Sequence, residues 1–426
     1  MGTTPGRRSF LSGALGLAAL GTARGAGATG PFVPPPGADD AEVFRAARRE
    51  LLFPEAVTYC NTGTLGASPR EVVEALEAAT RRNEASLPDW PYFQADGEPL
   101  TGYQQLREAR GRVAALLGAR AEEIALTQNA TMSMNFLGEG LDWQSGDEVV
   151  TTDQEHGGAV SVFRLLAKRR GIVVKELPLA TAFPGGPEAV VRLFREAMTP
   201  RTRALMACHV TSQFGVRMPV AELVALARER GALSLIDGAQ AVGQMRVDVK
   251  ALGCDAYVAS PHKWLLGPKG TGLLYIRRDV QDRFWTTLAS YQFDNHEDGA
   301  FRFMQYGTGS VAPVEGLLAA LGFMERIGIG RIESWDAMLT KRLRDGLSRI
   351  PRARLSSPAD ARLTAAITTF RVDGVSARDL QNALWERKIR VRAQGDDKGV
   401  RLSAHLYVAP RDIDAVLETV EALARA

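Results

Sequence analysis

The chain has 426 residues, of which 45% are hydrophobic and 24% are charged, and its formal net charge is +3. This composition is typical of a soluble globular protein, and the length predicts one large domain with a smaller one, or two comparable domains. The small net charge and the lack of long lysine and arginine runs argue against a protein that binds nucleic acid.

The N-terminus has the pattern of a targeting sequence. Paired arginines, Arg7 and Arg8, precede a short apolar run, and small residues follow up to Ala28. The run is too short to span a bilayer in the mature protein. The pattern predicts a twin-arginine export signal over residues 1–28, with a disordered basic tail as the alternative. The signal implies a periplasmic or secreted protein that is exported already folded. The proline-rich stretch that follows predicts a linker and N-terminal segment over residues 29–50.

Short apolar runs alternate with helical patterns from about residue 104. Helical spacing occurs in QQLREARGRVAALLGA, NATMSMNFLGEGL, GGAVSVFRLLAKRRG and PVAELVALARERGA. Strand-like runs are EIALTQ, DEVVTT, IVVKELPL, RALMACHV, LSLIDGAQ, AYVAS and GTGLLYI. This alternation predicts an α/β large domain over residues 51–310, with a mostly parallel sheet between helices.

The pattern changes after residue 310. A long helical pattern over 331–349 precedes LTAAITTFRVDG, SARDLQNALWERKI, RVRAQGDDKGVRLSAHLY and a final helix PRDIDAVLETVEALAR. Few strand-like runs among several helices predict a smaller α+β domain over residues 311–426.

The cysteines and histidines do not form a metal or disulfide pattern. Cys60, Cys208 and Cys254 are an odd number, and no C-x-x-C pair is present. Cys208 lies in the apolar run ALMACHV, which predicts a core position. The five histidines are scattered without an H-x-x-x-H pair, so we predict no metal site.

Polar side chains follow several of the predicted strands. They are Ala130 and Thr131 after IALT, His156 after EVVTT, Asp237 after LSLI, and Ser260, His262 and Lys263 after AYVA. Each alone has an ordinary explanation, such as a helix cap, a core histidine or a surface lysine. Ligands of open α/β sheets bind at the carboxyl ends of strands, so we expect these residues to lie together. A helix N-terminus, an acid, a histidine and a lysine predict an aromatic, phosphorylated, electron-deficient ligand.

One segment carries a family resemblance. DGAQAVGQMRVDVKALGCDAYVASPHKWLLGPKGTGLLYIRRD resembles the signature of the fold-type I, class V aminotransferase group of pyridoxal-phosphate enzymes. That group includes cysteine desulfurases, selenocysteine lyases and isopenicillin N epimerase, and the resemblance covers about residues 50–424. It implies pyridoxal 5'-phosphate as the cofactor and a seven-stranded type of sheet in the large domain.

The resemblance also implies residue roles. Lys263 matches the Schiff-base lysine, Asp237 the partner of the pyridine nitrogen, and Gln240 a position near the phenolic oxygen. His156 matches the histidine that stacks on the ring, so the implied catalytic set is Lys263, His156 and Asp237. The implied phosphate ligands are Ser260, His262, Ala130 and Thr131.

Three further positions concern the substrate and a second chain. Arg401, in VRLSAHLY, matches the arginine that binds the α-carboxylate of an amino acid, and Asn61, in TYCNTGTLGASP, is implied on the substrate side. Thr308, in QYGTGSVAP, matches a residue that reaches the phosphate bound to the neighbouring subunit. The resemblance therefore implies a homodimer.

The reaction type stays open at this point. Desulfurases carry a cysteine on the loop before the carboxylate-binding arginine, and residues 391–400 here contain none. The motifs favour the epimerase-like branch, in which epimerisation, elimination and amino transfer are all alternatives to a desulfurase. A non-enzymatic scaffold would be expected to have lost Lys263, Asp237 or Arg401, and all three are present. We therefore predict an enzyme.

Overall fold

The structure is a computed structural model, and it describes residues 30–89 and 105–425. Phe32–Ala426 form one compact unit. The predicted export signal lies outside the described residues. No helix in the described part of the chain has both the length and the apolar character that a membrane span needs.

Helices cover much of the described chain. They are α1 (Asp40–Arg49), α2 (Arg70–Ser86), α3 (Arg107–Leu117), α4 (Ala130–Glu139), α5 (Gly157–Arg170), α6 (Gly186–Ala197), α7 (Val220–Glu229), α8 (Val249–Leu252), α9 (Ala312–Ile327), α10 (Ile329–Leu347), α11 (Ala377–Glu386) and α12 (Pro410–Arg425). Side chains at the N-caps help to set where these helices begin. Asn129 caps α4 by accepting a hydrogen bond from the Met132 amide, and Asp39 caps α1 by accepting one from the Glu42 amide.

The strands of the described residues form three sheets. They are β1 (Thr58–Tyr59), β2 (Ile124–Thr127), β3 (Glu148–Thr152), β4 (Val173–Leu177), β5 (Thr202–Cys208), β6 (Leu233–Asp237), β7 (Ala256–Ala259), β8 (Gly272–Ile276), β9 (Ala353–Leu355), β10 (Ile367–Val372), β11 (Ile389–Arg390), β12 (Arg392–Gly395) and β13 (Gly399–Ser403). The largest sheet has seven strands in the order β2-β8-β7-β6-β5-β3-β4.

The seven-stranded sheet confirms the predicted fold class. Only β8 runs against the others, because it is antiparallel to both of its neighbours while the remaining pairs are parallel. Strands β2, β3, β6, β7 and β8 are buried at every residue. A sheet that is buried on both faces needs the near-continuous apolar runs that the sequence shows.

The C-terminal region contains more β structure than its pattern predicted. Strands β12, β13, β10 and β9 form an antiparallel sheet, and helices α10, α11 and α12 pack near it. Strand β1 pairs in parallel with β11, and Asn61 bridges to Ser403. These pairings bring the segment after α1 to the C-terminal region, and they position the turn after β1 beside the carboxyl end of β13. The boundary near residue 310 stays a prediction.

Candidate active site

The carboxyl ends of four strands lie at one edge of the large sheet. Strands β2, β3, β6 and β7 all run in the same direction. The residues that follow them are those predicted from the sequence: Ala130 and Thr131, His156, Asp237, and Ser260 to Lys263. The hydrogen bonds and electrostatic contacts described below join these segments into one site.

Ser260 and the first turn of α4 form the first part of this site. The Ala130 amide donates to Ser260 Oγ at 3.0 Å, and the Met132 amide donates to Asn129 Oδ1 at 2.8 Å. No hydrogen bond among the described residues uses the Thr131 amide. Amides at a helix N-terminus that lack an acceptor favour an anion such as phosphate.

His262 adds a second polar atom without a partner. Its Nδ1 atom is buried and has no hydrogen-bond partner among the described residues. Burial, with the positive charges of Lys263 and Lys269, lowers the pKa of His262 to about 4. A neutral imidazole can still donate one N–H. Since a buried polar atom without a partner is costly, this atom indicates a ligand at this position.

His156 and Thr131 are neighbours across the site. The Gly158 amide donates to His156 Nδ1 at 3.1 Å, so His156 caps α5. A Cβ atom at Gly158 would overlap the Thr131 hydroxyl and lie 3.0 Å from His156 Nδ1. Partial burial and the nearby Lys263 lower the pKa of His156. The ring is therefore neutral at pH 7, with its proton on Nε2 because Nδ1 accepts from Gly158.

Asp237 is fixed at the end of β6, and its charge acts on a second acid, Glu155. The Ala239 amide donates to Asp237 Oδ1 at 2.9 Å. Cys208 Sγ donates to Glu155 Oε2 at 2.7 Å, and the Thr152 hydroxyl donates to Glu155 Oε1 at 2.8 Å. Burial raises the pKa of Glu155 to about 7, and the charge of Asp237 adds to this shift. Cys208 is buried as predicted, but its contact with Glu155 was not predicted.

Lys263 is buried, and the charges of Asp237 and Arg401 both act on it. Burial lowers the pKa of Lys263; the charge of Asp237 opposes this shift and that of Arg401 adds to it. The Gly66 amide donates to the His262 carbonyl at 2.8 Å. A Cβ atom at Gly66 would overlap the Lys263 carbonyl, so only glycine allows this close approach of the two backbones.

A buried hydrogen-bond chain reaches the lysine segment from the C-terminal region. His405 Nε2 lies 2.8 Å from the Trp264 carbonyl, and His405 Nδ1 lies 2.8 Å from Asp336 Oδ2. A carbonyl only accepts, so Nε2 carries a proton and one further proton lies between Nδ1 and Asp336. Burial raises the pKa of Asp336, which favours the neutral acid. We therefore propose that Asp336 and His405 form a neutral pair, with the shared proton on the acid.

Gln240 is held in place by Trp264, which belongs to the same hydrogen-bond chain. Trp264 Nε1 donates to Gln240 Oε1 at 2.7 Å, and Gln240 Nε2 donates to the Gly63 carbonyl at 2.8 Å. The amide nitrogen has two hydrogens, so these contacts leave one for the cofactor contact predicted from the resemblance.

Arg401 is also buried, at 2% exposure. Its Nη1 donates to the Ser212 carbonyl at 2.8 Å, and its Nη2 donates to Asn61 Oδ1 at 3.1 Å and to Thr64 Oγ1 at 2.6 Å. Its Nε has no partner among the described residues. Burial, with the charge of Arg392, lowers the pKa of Arg401 to about 10, so the group remains charged at neutral pH. The predicted pair Arg401 and Asn61 is therefore in direct contact.

Thr308 is exposed in the protomer. Its neighbours Tyr306, Gly309 and Ser310 border a cavity of about 300 Å³ that Gln128 also lines, just before α4 begins. This places the loop beside the phosphate-binding end of the predicted site. The role of Thr308 across a subunit interface stays a prediction.

All three cysteines are free and buried. Burial raises the pKa of each thiol, to about 12 for Cys254 and well above its usual value for Cys208. None of them is suited to act as a thiolate nucleophile, since that requires a low pKa and access. No cluster of metal-ligating side chains occurs in the described ranges.

These residues fit pyridoxal phosphate. The unpartnered His262 Nδ1 and the Thr131 amide suit a phosphate, and the space that a side chain at Gly158 would fill lies between Thr131 and His156. The buried lysine and acid suit the aldehyde and the pyridine nitrogen.

Sequence reasoning did not identify Thr64, Arg392 or Glu155. The sequence could have predicted the position of Arg392. The turn-like sequence QGDDKG predicts a hairpin, and Arg392 and Arg401 are equally spaced from its centre, so they would lie opposite each other. Glu155 precedes His156 directly. Thr64 had no signal, since its contact depends on a pairing between distant parts of the chain.

Comparisons with known proteins agree with this geometry. Residues 70–416 match the family model described as Aminotransferase class-V. Isopenicillin N epimerase from Amycolatopsis lactamdurans is 30% identical over 404 residues, which cover 90% of this chain and 100% of that protein. A probable cysteine desulfurase from Pyrococcus abyssi is 28% identical over 399 residues, 89% of this chain and 97% of that protein.

Solved structures of pyridoxal-phosphate enzymes are similar to this chain. The cystine C-S lyase C-DES in complex with its reaction product, cysteine persulfide, superposes with a TM-score of 0.77 at 26% identity, covering 86% of this chain and 97% of that one. Another structure of C-DES, a lysine-to-alanine variant, has glycine covalently linked to its PLP cofactor, and its TM-score is 0.79 at 26% identity, covering 88% of this chain and 98% of that one.

Proposed function

The chain belongs to the aminotransferase class-V family of pyridoxal-phosphate enzymes, and we propose that it removes the α-proton of an amino acid with Lys263 as the base. The observation that carries this proposal is the burial of Lys263 at a position where the charges of Asp237 and Arg401 both act on it. These two residues match the groups that hold the cofactor ring and the substrate carboxylate.

The cofactor has a complete set of proposed ligands. Ser260, His262, Ala130 and Thr131 would hold the phosphate, while His156, Asp237 and Gln240 would hold the ring. When bound, pyridoxal phosphate supplies an electron-withdrawing ring that stabilises negative charge at the α-carbon of an amino acid.

The chain's own residues supply binding and proton transfer. Arg401 would bind the α-carboxylate, and its contacts with Asn61, Thr64 and Ser212 fix the guanidinium before the substrate arrives. The lowered pKa of Lys263 makes more of its amine available as a base near neutral pH.

Removal of the α-proton is common to epimerisation, elimination and amino transfer. The match to isopenicillin N epimerase over that protein's full length favours an epimerase-like reaction. A lyase of the cysteine desulfurase or selenocysteine lyase type is the second candidate, because its relatives share the fold. The burial of all three thiols argues against the form of that reaction that uses an enzyme cysteine.

Incubation in D₂O tests the proposal. Individual L- and D-amino acids would be supplied to the cofactor-loaded protein and followed by proton NMR. We expect loss of the α-proton signal for at least one amino acid, and no loss with Lys263→Ala. Chiral chromatography of the products separates the reactions, because the other enantiomer indicates epimerisation, whereas a keto acid indicates elimination or amino transfer. No exchange with any amino acid would contradict the proposal.

We also propose that the protein is a homodimer in which Thr308 contributes to the phosphate site of the partner. Thr308 is exposed, and a nearby segment exposes large apolar side chains at Trp285, Leu288, Tyr291 and Phe293. Exposed apolar patches of this kind mark interaction surfaces. An active monomer in light scattering at assay concentrations would contradict this proposal.

Export by the twin-arginine route is a separate proposal. It rests on Arg7 and Arg8 before a short apolar run. The double substitution Arg7→Lys and Arg8→Lys is expected to retain folded, cofactor-bound precursor in the cytoplasm. Unchanged export of that variant would contradict the proposal.

A further inference from the structure

Two arginines face each other on the hairpin that borders the site. Arg392 in β12 pairs with Arg401 in β13. Residues directly opposite on antiparallel strands point to the same face, with Cβ atoms about 5 Å apart, and like charges there are destabilising. A negative charge close to both arginines would therefore stabilise the arrangement.

Both guanidinium groups reach the same hydroxyl. Arg401 Nη2 donates to Thr64 Oγ1 at 2.6 Å, and Arg392 Nη1 donates to Thr64 Oγ1 at 3.3 Å. The second arginine therefore lies at the substrate end of the site, beside the group proposed to bind the α-carboxylate.

The described residues do not supply such a charge. The partners of Arg401 are a carbonyl, an amide oxygen and a hydroxyl, all of them neutral. Arg392 is exposed and forms no ion pair with a carboxylate among the described residues.

The positive charge of Arg392 affects the pKa values of three other residues in the site. Burial is the largest cause of the lowered pKa values of Lys263, His156 and Arg401, and Arg392 adds to all three shifts. Asp237 is the acid that opposes this charge at Lys263 and at His156. One α-carboxylate would neutralise Arg401 and leave Arg392 unpaired.

We propose that the substrate is an amino acid with a second carboxylate in its side chain, and that Arg392 binds this carboxylate while Arg401 binds the α-carboxylate. The inference rests on the function proposed above, and it specifies the substrate class of that site. Arginine suits the role because its planar fork matches a carboxylate with two parallel hydrogen bonds. Arg392 is exposed at the mouth of the site, so the side-chain carboxylate points outward from the cofactor.

Matched acid and amide pairs test the inference through binding. The cofactor-loaded protein would be titrated with aspartate and asparagine, glutamate and glutamine, and 2-aminoadipate and its side-chain amide, in both enantiomers. The absorbance change of the bound cofactor gives a Kd for each. A hydrogen bond to a charged group contributes about 1.5–3 kcal/mol, so for at least one pair we expect the acid to bind about 10- to 100-fold more tightly than the amide.

Two variants assign the effect to Arg392. In Arg392→Gln the acid should bind no more than about threefold better than its amide, on the loss of the charged hydrogen bond. Arg378→Gln is the matched control, because Arg378 is an exposed arginine on α11 for which no hydrogen bond to Arg392, Arg401 or Thr64 occurs among the described residues. This control should keep the full preference.

The outcomes separate the inference from the function on which it rests. If neutral amino acids perturb the cofactor as strongly as acidic ones, the inference is wrong and the proposed function stands. If the acid preference persists in Arg392→Gln, the assignment to Arg392 is wrong. If no amino acid changes the absorbance, both the inference and the proposed function are contradicted.

Discussion

The Nη2 atom of Arg401 donates to the Thr64 hydroxyl at 2.6 Å, although 337 positions separate the two residues in the chain. Strand β1 pairs with β11, and the turn after β1 is thereby held against β13. This contact fixes a buried guanidinium whose Nε has no partner among the described residues. A buried, oriented and partly unsatisfied arginine is suited to bind a carboxylate.

Arg401→Ala is expected to lower kcat/KM for the true substrate by a hundredfold or more. Loss of one partner of a buried charged pair costs about 3–5 kcal/mol, and each 1.4 kcal/mol is about tenfold in rate. Steady-state kinetics would measure the change. The visible spectrum of the bound cofactor should be nearly unchanged, because Arg401 is not among its proposed ligands. Full activity in this variant, or a true substrate without a carboxylate, would contradict the assignment.

Ser260→Ala is expected to weaken cofactor binding by about 10- to 100-fold, since a hydrogen bond to a charged group contributes about 1.5–3 kcal/mol. The substitution removes a proposed phosphate ligand and the acceptor for the Ala130 amide. Fluorescence titration of cofactor-free protein with pyridoxal phosphate would measure the Kd. Ser334→Ala is the control, because the Ser334 hydroxyl donates only to its own helix. Equal Kd values for the two variants would show that Ser260 does not bind the phosphate.

The neutral Asp336–His405 pair predicts opposite outcomes for two substitutions. Asp336→Asn keeps a donor to His405 Nδ1, so stability should change by less than about 1 kcal/mol, the value of one ordinary hydrogen bond. His405→Leu leaves Asp336 and the Trp264 carbonyl buried without their partners, and should cost about 3 kcal/mol or more. Urea unfolding would measure both. A large loss in Asp336→Asn would indicate an ion pair in place of the neutral pair.

Glu155 makes stability depend on pH. Burial raises its pKa from 4.5 to about 7, so the folded state holds a proton that the unfolded state releases. The associated stability is present below pH 4.5 and is lost as the pH rises through about 7. Glu155→Gln removes the titrating group, so the variant should not show this loss. Between pH 5 and about pH 8 the free energy of unfolding of the variant, relative to that of the wild type, should therefore rise by about 2–3 kcal/mol. Unfolding curves across that range would show it, and parallel pH profiles for the two proteins would contradict it.

The alternation of strands and helices predicted the large sheet well, because a sheet buried on both faces requires apolar runs that are visible in the sequence. The strand-end residues could be predicted for the same reason, since parallel strands end at one edge. The C-terminal sheet was harder to predict, because strands such as β12 are short and partly exposed. The contact between Thr64 and Arg401 depends on pairing between segments that lie more than 300 residues apart in the chain, since 337 positions separate the two residues. Neither residue's local sequence contains that information.

The central claim is that Lys263 carries the cofactor. Borohydride reduction of the yellow, cofactor-loaded protein, followed by mass spectrometry of its peptides, tests this claim most directly. We expect one modified lysine, Lys263, together with loss of the visible absorbance. Lys269→Ala is the control, since Lys269 is a nearby, partly buried lysine whose pKa burial also lowers, and it should still be modified at Lys263. Modification at another lysine, or a protein that stays colourless with added pyridoxal phosphate, would contradict the account.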